Sequence, residues 1–435
     1  MTKEKTSIFK YEGVNYLLPF ILITACFALW GFANDITNPM VKAFSKIFRM
    51  SVTEGALTQV AFYGGYFAMA LPAAMFIRRF TYKKGILMGL GLYATGAFLF
   101  IAARSTGAYW PFLVAYFILT CGLSFLETSA NPYILAMGSP ETATRRLNFA
   151  QSFNPIGSLC GMFVAMNFIQ ARLNPLSSAE RATLPQAEFE AIRQSDLGIL
   201  IKPYVIIGLV IVVMFLLILL VKMPIVKEEN KGSIRETLSD LIGKKRYREG
   251  VLAQFFYVGV QIMCWTFIIQ YGTRIFMEQG MSEIDAEVLS QRYNIAAMII
   301  FCCSRFICTW LMKYLQPGKM LHIFALAGIL CTLGVIFIQG IAGLYCLVAV
   351  SACMSLMFPT IYGIALDGLG EDAKFGAAGL IMAILGGSIL PPVQAMIIDR
   401  GTLLGMPAVN VSFVLPMLCF VVIAIYGYRV FKNII

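Results

Sequence analysis

Residues 112–138 have the sequence FLVAYFILTCGLSFLETSANPYILAMG, an apolar run with one acidic residue, Glu127, near its middle. About 20 apolar residues cross the hydrocarbon core of a bilayer as a helix, so this run predicts a membrane span. An ionised carboxylate at that depth costs about 2.5–3.5 kcal/mol even on lenient insertion scales. A chain that keeps such a residue is expected to use it to bind or to move something.

The rest of the chain has the same membrane character. Of its 435 residues, 59% are hydrophobic and 13% are charged, whereas a soluble domain carries roughly 25% charged residues. The net charge of +11 does not indicate a nucleic-acid partner, because membrane proteins gather Lys and Arg in cytoplasmic loops. We therefore expect an all-α membrane protein that binds no nucleic acid.

Twelve apolar runs are long enough to cross a bilayer. They begin near residues 17, 55, 85, 109, 147, 200, 251, 288, 320, 342, 375 and 409. We predict an N-terminal six-helix bundle over residues 1–222, a cytoplasmic linker over 223–250 and a C-terminal six-helix bundle over 251–435. Two weakly similar six-helix halves are the plan of a major facilitator transporter, with a site between the halves at mid-membrane.

Basic residues indicate the orientation of the chain. With both termini in the cytoplasm, the cytoplasmic segments hold roughly twice as many Lys and Arg as the opposite side, which is the bias that membrane proteins show. We therefore predict a multi-pass protein with both termini cytoplasmic. The longest outer loop, residues 171–199, mixes both signs of charge and is expected to be a solvated, partly helical surface loop.

The cysteines and the histidine argue against enzymes and metal sites. His322 is the one histidine of the chain, and the 11 cysteines form no CxxC pair. Without a His/Cys cluster there is no typical zinc site, and the cysteines are expected to be reduced thiols within apolar runs. No Ser/His/Asp set is recognisable, so we predict a protein that is not an enzyme and has no cofactor or metal.

Polar residues recur inside the predicted spans at helical spacing. Glu127 and Asn131 are four residues apart, and Tyr257, Gln261 and Trp265 repeat at the same interval, so each set shares one helix face. Lipid cannot satisfy such groups, which must therefore face a cavity or partner helices.

Amides beside aromatic rings suit a neutral ligand with many hydroxyl groups, because Asn and Gln donate and accept hydrogen bonds at once. Glu127 and Asp35 are the predicted proton-coupling residues, since a carboxyl within a span can load and release protons as water access changes. The predicted substrate-binding residues are Asn34, Asn38, Tyr63, Asn131, Gln151, Asn154, Tyr257, Gln261, Trp265, Arg305 and Tyr362.

Structural roles are open for several of these residues, because amides in membrane helices often only join neighbouring helices. Asp35 lies toward the outer end of the first run, where a solvated vestibule residue is the alternative. For Arg305, a structural counter-charge and a site residue are both open interpretations. Tyr66 and Tyr271 are interpreted as packing residues or interfacial anchors.

Six motifs of this chain resemble the L-fucose–proton symporter family of the major facilitator superfamily, and the resemblance extends over nearly the whole chain. The motifs are Ala61-FYGGYF-Ala68, Phe125-LETSANP-Tyr133, Arg146-LNFAQSFNPIG-Ser158, Ala253-QFFYVGVQIMCW-Thr266, Arg305-FICTWL-Met312 and Phe358-PTIYGIALDGLG-Glu371.

The resemblance implies twelve helices, a proton-coupling carboxylate at Glu127, and the family's Gln and Asn at Gln151 and Asn154. The family also has an acid in the first span, where this chain departs from the pattern. An alignment without gaps places Asn38 there, with Asp35 one turn earlier. Alternatively, Asn34-Asp35-Ile36 matches the family's Asn-Asp-Ile locally. Either Asp35 substitutes for the family's acid, or this protein couples through Glu127 alone.

We therefore expect proton-coupled import of L-fucose or a closely related hexose by alternating access in the bacterial inner membrane. A sodium-coupled or uncoupled glucose or galactose transporter is the alternative, and a non-transporting sugar sensor is less favoured. The expected partners are a monosaccharide, protons as the coupling ion and the lipid bilayer, and the protein is expected to be monomeric.

Overall fold

The computed structural model describes residues 10–11, 14–37, 40–50, 54, 57–176, 178–224, 234–403 and 405–435. Within these residues, 12 helical segments are long and apolar enough to cross a membrane, which confirms the predicted all-α membrane fold with twelve spans. In chain order, spans 1 to 12 are Leu17–Thr37, Val60–Arg79, Tyr82–Thr106, Trp110–Ala136, Pro140–Ile169, Gln186–Leu220, Lys245–Glu278, Val288–Leu311, Pro317–Phe337, Ile341–Leu366, Ala373–Ile398 and Ala408–Phe431.

Four of the spans are interrupted helices. Span 5 consists of Pro140–Thr142, Ala143–Gln151, Asn154–Val164 and a π-helical turn, Ala165–Ile169. Span 10 consists of Ile341–Met354 and Met357–Leu366, and span 12 of Ala408–Ser412 and Val414–Phe431. Span 11 consists of Ala373–Met382, Ala383–Leu385 and Gly386–Ile398. In span 5, Pro155 directly follows the break, as expected for a residue that fits only the first turn of a helix without strain.

The helices of spans 2 and 8 begin slightly before their apolar segments, at Leu57–Arg79 and Glu283–Leu311. Shorter helices lie outside the spans at Met40–Phe48, Gln170–Arg172, Ser178–Thr183, Ile234–Gly243 and Gly370–Asp372. Two small antiparallel hairpins pair Lys10–Tyr11 with Val14–Asn15 and Thr402–Leu403 with Met406–Pro407.

The chain divides into two compact units. Unit 1 contains Met1–Gly138 and Phe153–Glu228, and unit 2 contains Ser139–Ser152 and Glu229–Ile435. The division therefore falls inside span 5, at its helix break, and residues 139–152 group with the second unit.

In unit 1, spans 1 and 5 approach each other closely through glycines. A Cβ atom on Gly157 would clash with the carbonyl oxygen of Ala28, and one on Gly31 would clash with the carbonyl oxygen of Asn154. Small residues let membrane helices approach backbone to backbone, so the two spans form one packed pair.

In unit 2, spans 7 and 10 pack in opposite directions. A Cβ atom on Gly250 would lie 2.6 Å from Cβ of Ala365, and the rings of Tyr257 and Phe358 lie 6.1 Å apart between centroids. Tyr257 lies seven residues after Gly250 in span 7, and Phe358 lies seven residues before Ala365 in span 10, so the two helices are antiparallel.

The outer loop of unit 1 differs in part from its prediction as a solvated surface loop. It is partly helical, as expected, over Ser178–Thr183, and its last part belongs to the helix of span 6, which begins at Gln186 and includes Asp196. However, the guanidinium of Arg181 and the carboxylate of Asp196 form an ion pair at 2.6 Å with 0% and 1% of their side chains exposed. Asp196 also accepts a hydrogen bond from the backbone N–H of Asn174 at 2.9 Å. The loop has folded around a buried ion pair, which its mixed charges alone did not reveal.

Candidate functional site

Glu127 lies in span 4 of unit 1, and the residue is buried with 3% of its surface exposed. Its Oε1 atom accepts a hydrogen bond from the hydroxyl of Tyr66 at 3.0 Å. One turn later, Nδ2 of Asn131 donates to the backbone carbonyl of Glu127 at 3.0 Å. Within the described residues, the Glu127 carboxylate thus has a hydroxyl partner and forms no ion pair. A group held in this way can exchange a proton without breaking a salt bridge.

Tyr66 connects this acid to span 1. Its hydroxyl also lies 3.3 Å from Oδ1 of Asn34, and its backbone carbonyl accepts a hydrogen bond from Oγ of Ser124 at 3.0 Å. The ring is 3% exposed, so both neighbours hold it in place. The sequence interpretation of Tyr66 as a packing residue or interfacial anchor missed this role. A signal was available, since a tyrosine buried within a span usually finds a partner for its hydroxyl.

Asp35, the second predicted proton-coupling residue, is half-buried near the end of span 1. Its carboxylate interacts electrostatically with the hydroxyl group of Tyr63 from span 2, a residue that is half-buried. Two predicted site residues of spans 1 and 2 are therefore neighbours. Asn38, the alternative position for the family's span-1 acid, lies outside the described residues.

Asn154 joins two spans of unit 1. Its Nδ2 atom donates a hydrogen bond to the backbone carbonyl of Phe27 at 3.1 Å, next to the close approach at Gly31. The amide therefore has a structural role in the pairing of spans 1 and 5.

In unit 2, Arg305 of span 8 is 3% exposed. Its Nε atom donates to the carbonyl of Ser355, its Nη1 atom donates to the carbonyl of Gln151 at 3.0 Å, and its guanidinium lies 4.5 Å from the ring centroid of Phe301. In the part of the chain that the structure describes, carbonyl oxygens hold this cation, and no carboxylate pairs with it. The Gln151 side chain is buried at the same place.

Aromatic rings from spans 7 and 10 form a row that begins beside this cation. Tyr257 is 0% exposed, and its hydroxyl faces the Arg305 guanidinium. Its ring meets Phe358 edge-on, and Phe358 stacks with the buried Tyr362 at 6.2 Å between centroids. Within unit 2, Tyr257 thus lies beside Arg305, and Phe358 connects Tyr257 to Tyr362.

Trp265 anchors the later part of the stripe that Tyr257, Gln261 and Trp265 form on span 7. Its Nε1 atom donates to Oγ of Ser351 at 3.2 Å, and its ring meets Phe301 edge-on at 4.9 Å between centroids. Because Phe301 also contacts Arg305, Trp265 belongs to the same neighbourhood. Gln261 is half-buried, one turn from both Tyr257 and Trp265.

The sequence interpretation missed Gln254, which extends this stripe by one turn before Tyr257. Its side chain is 0% exposed, and neither Oε1 nor Nε2 has a hydrogen-bond partner within the described residues. An unsatisfied buried amide costs roughly 1–3 kcal/mol, so it needs an explanation. The spacing of Gln254 from Tyr257 and Gln261 could have indicated that it shares their helix face.

Both units therefore present hydroxyl, amide and aromatic groups, with a buried carboxyl in unit 1 and a buried guanidinium in unit 2. The groups of each unit can form directional hydrogen bonds to a neutral polar molecule, and unit 1 can hold one exchangeable proton on Glu127. Among the described residues, no group of three or more His, Cys, Asp or Glu side chains is placed to hold a metal ion.

Known proteins match this chain along most of its length. Residues 22–392 match the family model of the Major Facilitator Superfamily. The chain is 56% identical over 428 residues to the L-fucose-proton symporter of Haemophilus influenzae, covering 96% of this chain and 97% of that protein. It is 31% identical over 413 residues to the glucose/galactose transporter of Brucella abortus, covering 95% and 94%. The crystal structure of FucP, a Major Facilitator Superfamily transporter in the outward conformation, is similar with a TM-score of 0.85, 34% identity and coverage of 95% and 98%.

Proposed function

Because this chain belongs to the Major Facilitator Superfamily and, within it, to the family of the L-fucose-proton symporters, we propose that it imports L-fucose together with protons by alternating access. A chain of this family is a membrane transporter and not an enzyme. The observation that carries the proposal is the buried Glu127 carboxyl, which accepts a hydrogen bond from the Tyr66 hydroxyl at 3.0 Å within the apolar helix of span 4.

The proposed mechanism follows from the unequal stability of the two states of Glu127. The neutral carboxyl fits an apolar span, whereas the charged form is costly at that depth. We propose that the protonated form supports sugar binding from outside and that proton loss toward the cytoplasm favours sugar release. Alternation of water access then couples proton and sugar flux.

The proposed sugar contacts lie in each unit. Hydroxyl and amide groups match adjacent sugar hydroxyls, because they donate and accept hydrogen bonds together. Gln254 joins the proposed set because a sugar hydroxyl would satisfy its unpartnered amide. The proposed contacts are Asn34, Asn38, Tyr63, Asn131 and Asn154 in unit 1, and Gln151, Gln254, Tyr257, Gln261, Trp265, Arg305 and Tyr362 in unit 2.

We further propose an inner-membrane location with both termini cytoplasmic, which the distribution of Lys and Arg along the sequence supports. The six-helix bundles predicted over residues 1–222 and 251–435, joined by a cytoplasmic linker over 223–250, belong to this proposal. Asp35 as a second proton-coupling residue, protons as the sole coupling ion without a cofactor, and a monomeric state are parts of it too.

Uptake of radiolabelled L-fucose into proteoliposomes tests the proposal. An inward proton gradient should drive accumulation, and external pH should rise when L-fucose is added. Changing sodium at fixed pH should have no effect. Accumulation that follows sodium, or equilibration that no gradient drives uphill, would contradict proton coupling.

A glucose or galactose substrate is the second candidate, since a glucose/galactose transporter covers nearly the whole chain at 31% identity. Unlabelled L-fucose, D-galactose and D-glucose should be compared as competitors in the same uptake experiment. Strong competition by L-fucose alone supports the first candidate, and preferential competition by D-glucose or D-galactose supports the second.

A further inference from the structure

We propose that the Tyr66 hydroxyl reports the protonation state of Glu127 to Asn34, and so makes sugar binding depend on the proton. This positioning role rests on the proposed function, because it presumes that Glu127 takes up a proton and that Asn34 contacts the sugar. It adds a physical connection between the two events.

The connection arises because one donor faces two acceptors. The Tyr66 oxygen lies 3.0 Å from Oε1 of Glu127 and 3.3 Å from Oδ1 of Asn34. A phenol has one hydrogen to donate, although its oxygen can accept a further bond. Tyr66 therefore cannot donate to both residues at once.

When Glu127 is charged, its carboxylate accepts the hydrogen bond from the Tyr66 hydroxyl. A hydrogen bond to a carboxylate is roughly twice as strong as one between neutral groups, so the Tyr66 O–H points to Oε1. Oδ1 of Asn34 then receives no hydrogen from Tyr66, and its amide is free to turn.

The neutral state reverses the arrangement. The protonated carboxyl becomes a donor to the Tyr66 oxygen, and the Tyr66 O–H turns to Oδ1 of Asn34. The proton stays on Glu127, and only the direction of two hydrogen bonds changes. With its oxygen engaged, the Asn34 amide is held in one orientation, and its Nδ2 hydrogens are available to a sugar hydroxyl.

The surroundings of Tyr66 hold its backbone in place and leave its hydroxyl between Glu127 and Asn34. Oγ of Ser124 donates to its backbone carbonyl, which fixes the residue against span 4. The titratable groups that act on its hydroxyl are Glu127 from span 4, Tyr63 from span 2 and Tyr93 from span 3. Asp35 from span 1 acts on Tyr63. Among these described groups, only Glu127 is hydrogen-bonded to the Tyr66 hydroxyl.

Equilibrium binding of radiolabelled L-fucose to the purified full chain in lipid nanodiscs tests the relay at an acidic and an alkaline pH. Tyr66→Phe should weaken binding at acidic pH by about 5- to 150-fold, the usual range of coupling between sites. At alkaline pH it should bind like the wild type, because Tyr66 then serves Glu127 alone.

Tyr93→Phe is the matched control. Its buried hydroxyl donates to the backbone carbonyl of Leu29 in the same span 1 at 3.1 Å and makes no hydrogen bond to Glu127 within the described residues. This variant should keep the wild-type ratio of affinities at the two pH values.

A second comparison covers the case in which Tyr66→Phe alone is unstable. Glu127→Gln makes position 127 permanently neutral and able to donate, so Tyr66→Phe in that background should weaken binding by the same factor at both pH values. In the otherwise native chain, Tyr66→Phe should change the ratio of the affinities at the two pH values. A ratio equal to that of the wild type, with both affinities unchanged or both equally weakened, would overturn the relay. Wild-type binding that does not change with pH would instead overturn the proposed proton coupling itself.

Discussion

Nη1 of Arg305 in span 8 donates a hydrogen bond to the backbone carbonyl of Gln151 in span 5 at 3.0 Å. The same guanidinium donates from Nε to the carbonyl of Ser355, between the two helices of span 10. One cation thus joins three spans of unit 2 at two helix breaks. Backbone carbonyls at a break lack helical partners, which explains why a buried guanidinium can be satisfied there.

Arg305→Lys should lower sugar uptake strongly, because an ammonium on a flexible stem cannot reproduce two bonds fixed by a planar guanidinium. The Arg305 guanidinium is also a proposed sugar contact, and a hydrogen bond to a charged group contributes about 1.5–3 kcal/mol. Loss of that contact predicts at least a roughly tenfold fall in sugar affinity. Initial uptake rates against L-fucose concentration measure it. Arg274→Lys is the control, because that residue forms an exposed ion pair with Glu278 at 2.7 Å. Equal, small effects at both positions would contradict a special role for Arg305.

Glu127→Gln should abolish accumulation driven by a proton gradient but retain exchange of labelled for unlabelled sugar. The amide keeps the size of the carboxyl and can still bond with Tyr66, but it cannot release a proton. Proteoliposome uptake with and without a gradient separates the two activities. Glu278→Gln changes an exposed carboxyl and should leave both unaffected. Persistent uphill uptake by Glu127→Gln would exclude Glu127 as the coupling group.

Gln254→Leu should separate function from stability. It removes a buried amide without a partner among the described residues, so thermal stability should stay equal or rise by up to about 1–3 kcal/mol. Sugar affinity should fall if the amide binds a sugar hydroxyl. Thermal unfolding and L-fucose binding of the same preparation measure both.

Gln394→Leu is the matched control for that experiment, since Nε2 of buried Gln394 donates to Oγ of Ser412 at 3.0 Å. Oε1 of Gln394 has no partner among the described residues, but the change also removes a hydrogen bond that Gln254 lacks. Its unfolding temperature should therefore lie below that of Gln254→Leu, and sugar affinity should stay unchanged. Unaltered affinity in Gln254→Leu would remove Gln254 from the proposed site.

Hydropathy was sufficient to predict the twelve spans, because the thickness of the bilayer sets the minimum length of each apolar run. Burial of Glu127 followed from the same run. The partner of Glu127 could not be predicted, because its contact with Tyr66 depends on how span 2 is rotated about its axis against span 4. The same sequence pattern is compatible with many such rotations. The break in span 5 was also missed, because the apolar run continues through Ser152 and Phe153.

The buried ion pair of the outer loop could not be predicted for a different reason. Arg181 and Asp196 have the composition of a solvated loop, and only tertiary packing removes them from water. Asp196→Ala should therefore lower stability by about 3–5 kcal/mol, because it leaves Arg181 buried without its counter-charge. Thermal unfolding of the purified chain measures this as a lower transition temperature.

The double variant Arg181→Met with Asp196→Leu should recover most of that loss, since apolar side chains of similar size often replace a buried pair at little cost. Glu190→Ala provides the surface control, because its ion pair with Arg193 is partly exposed and should contribute only about 0–1 kcal/mol. A small effect of Asp196→Ala, equal to that of Glu190→Ala, would show that water reaches the Arg181–Asp196 pair. In that case the loop would be solvated, as its composition first indicated.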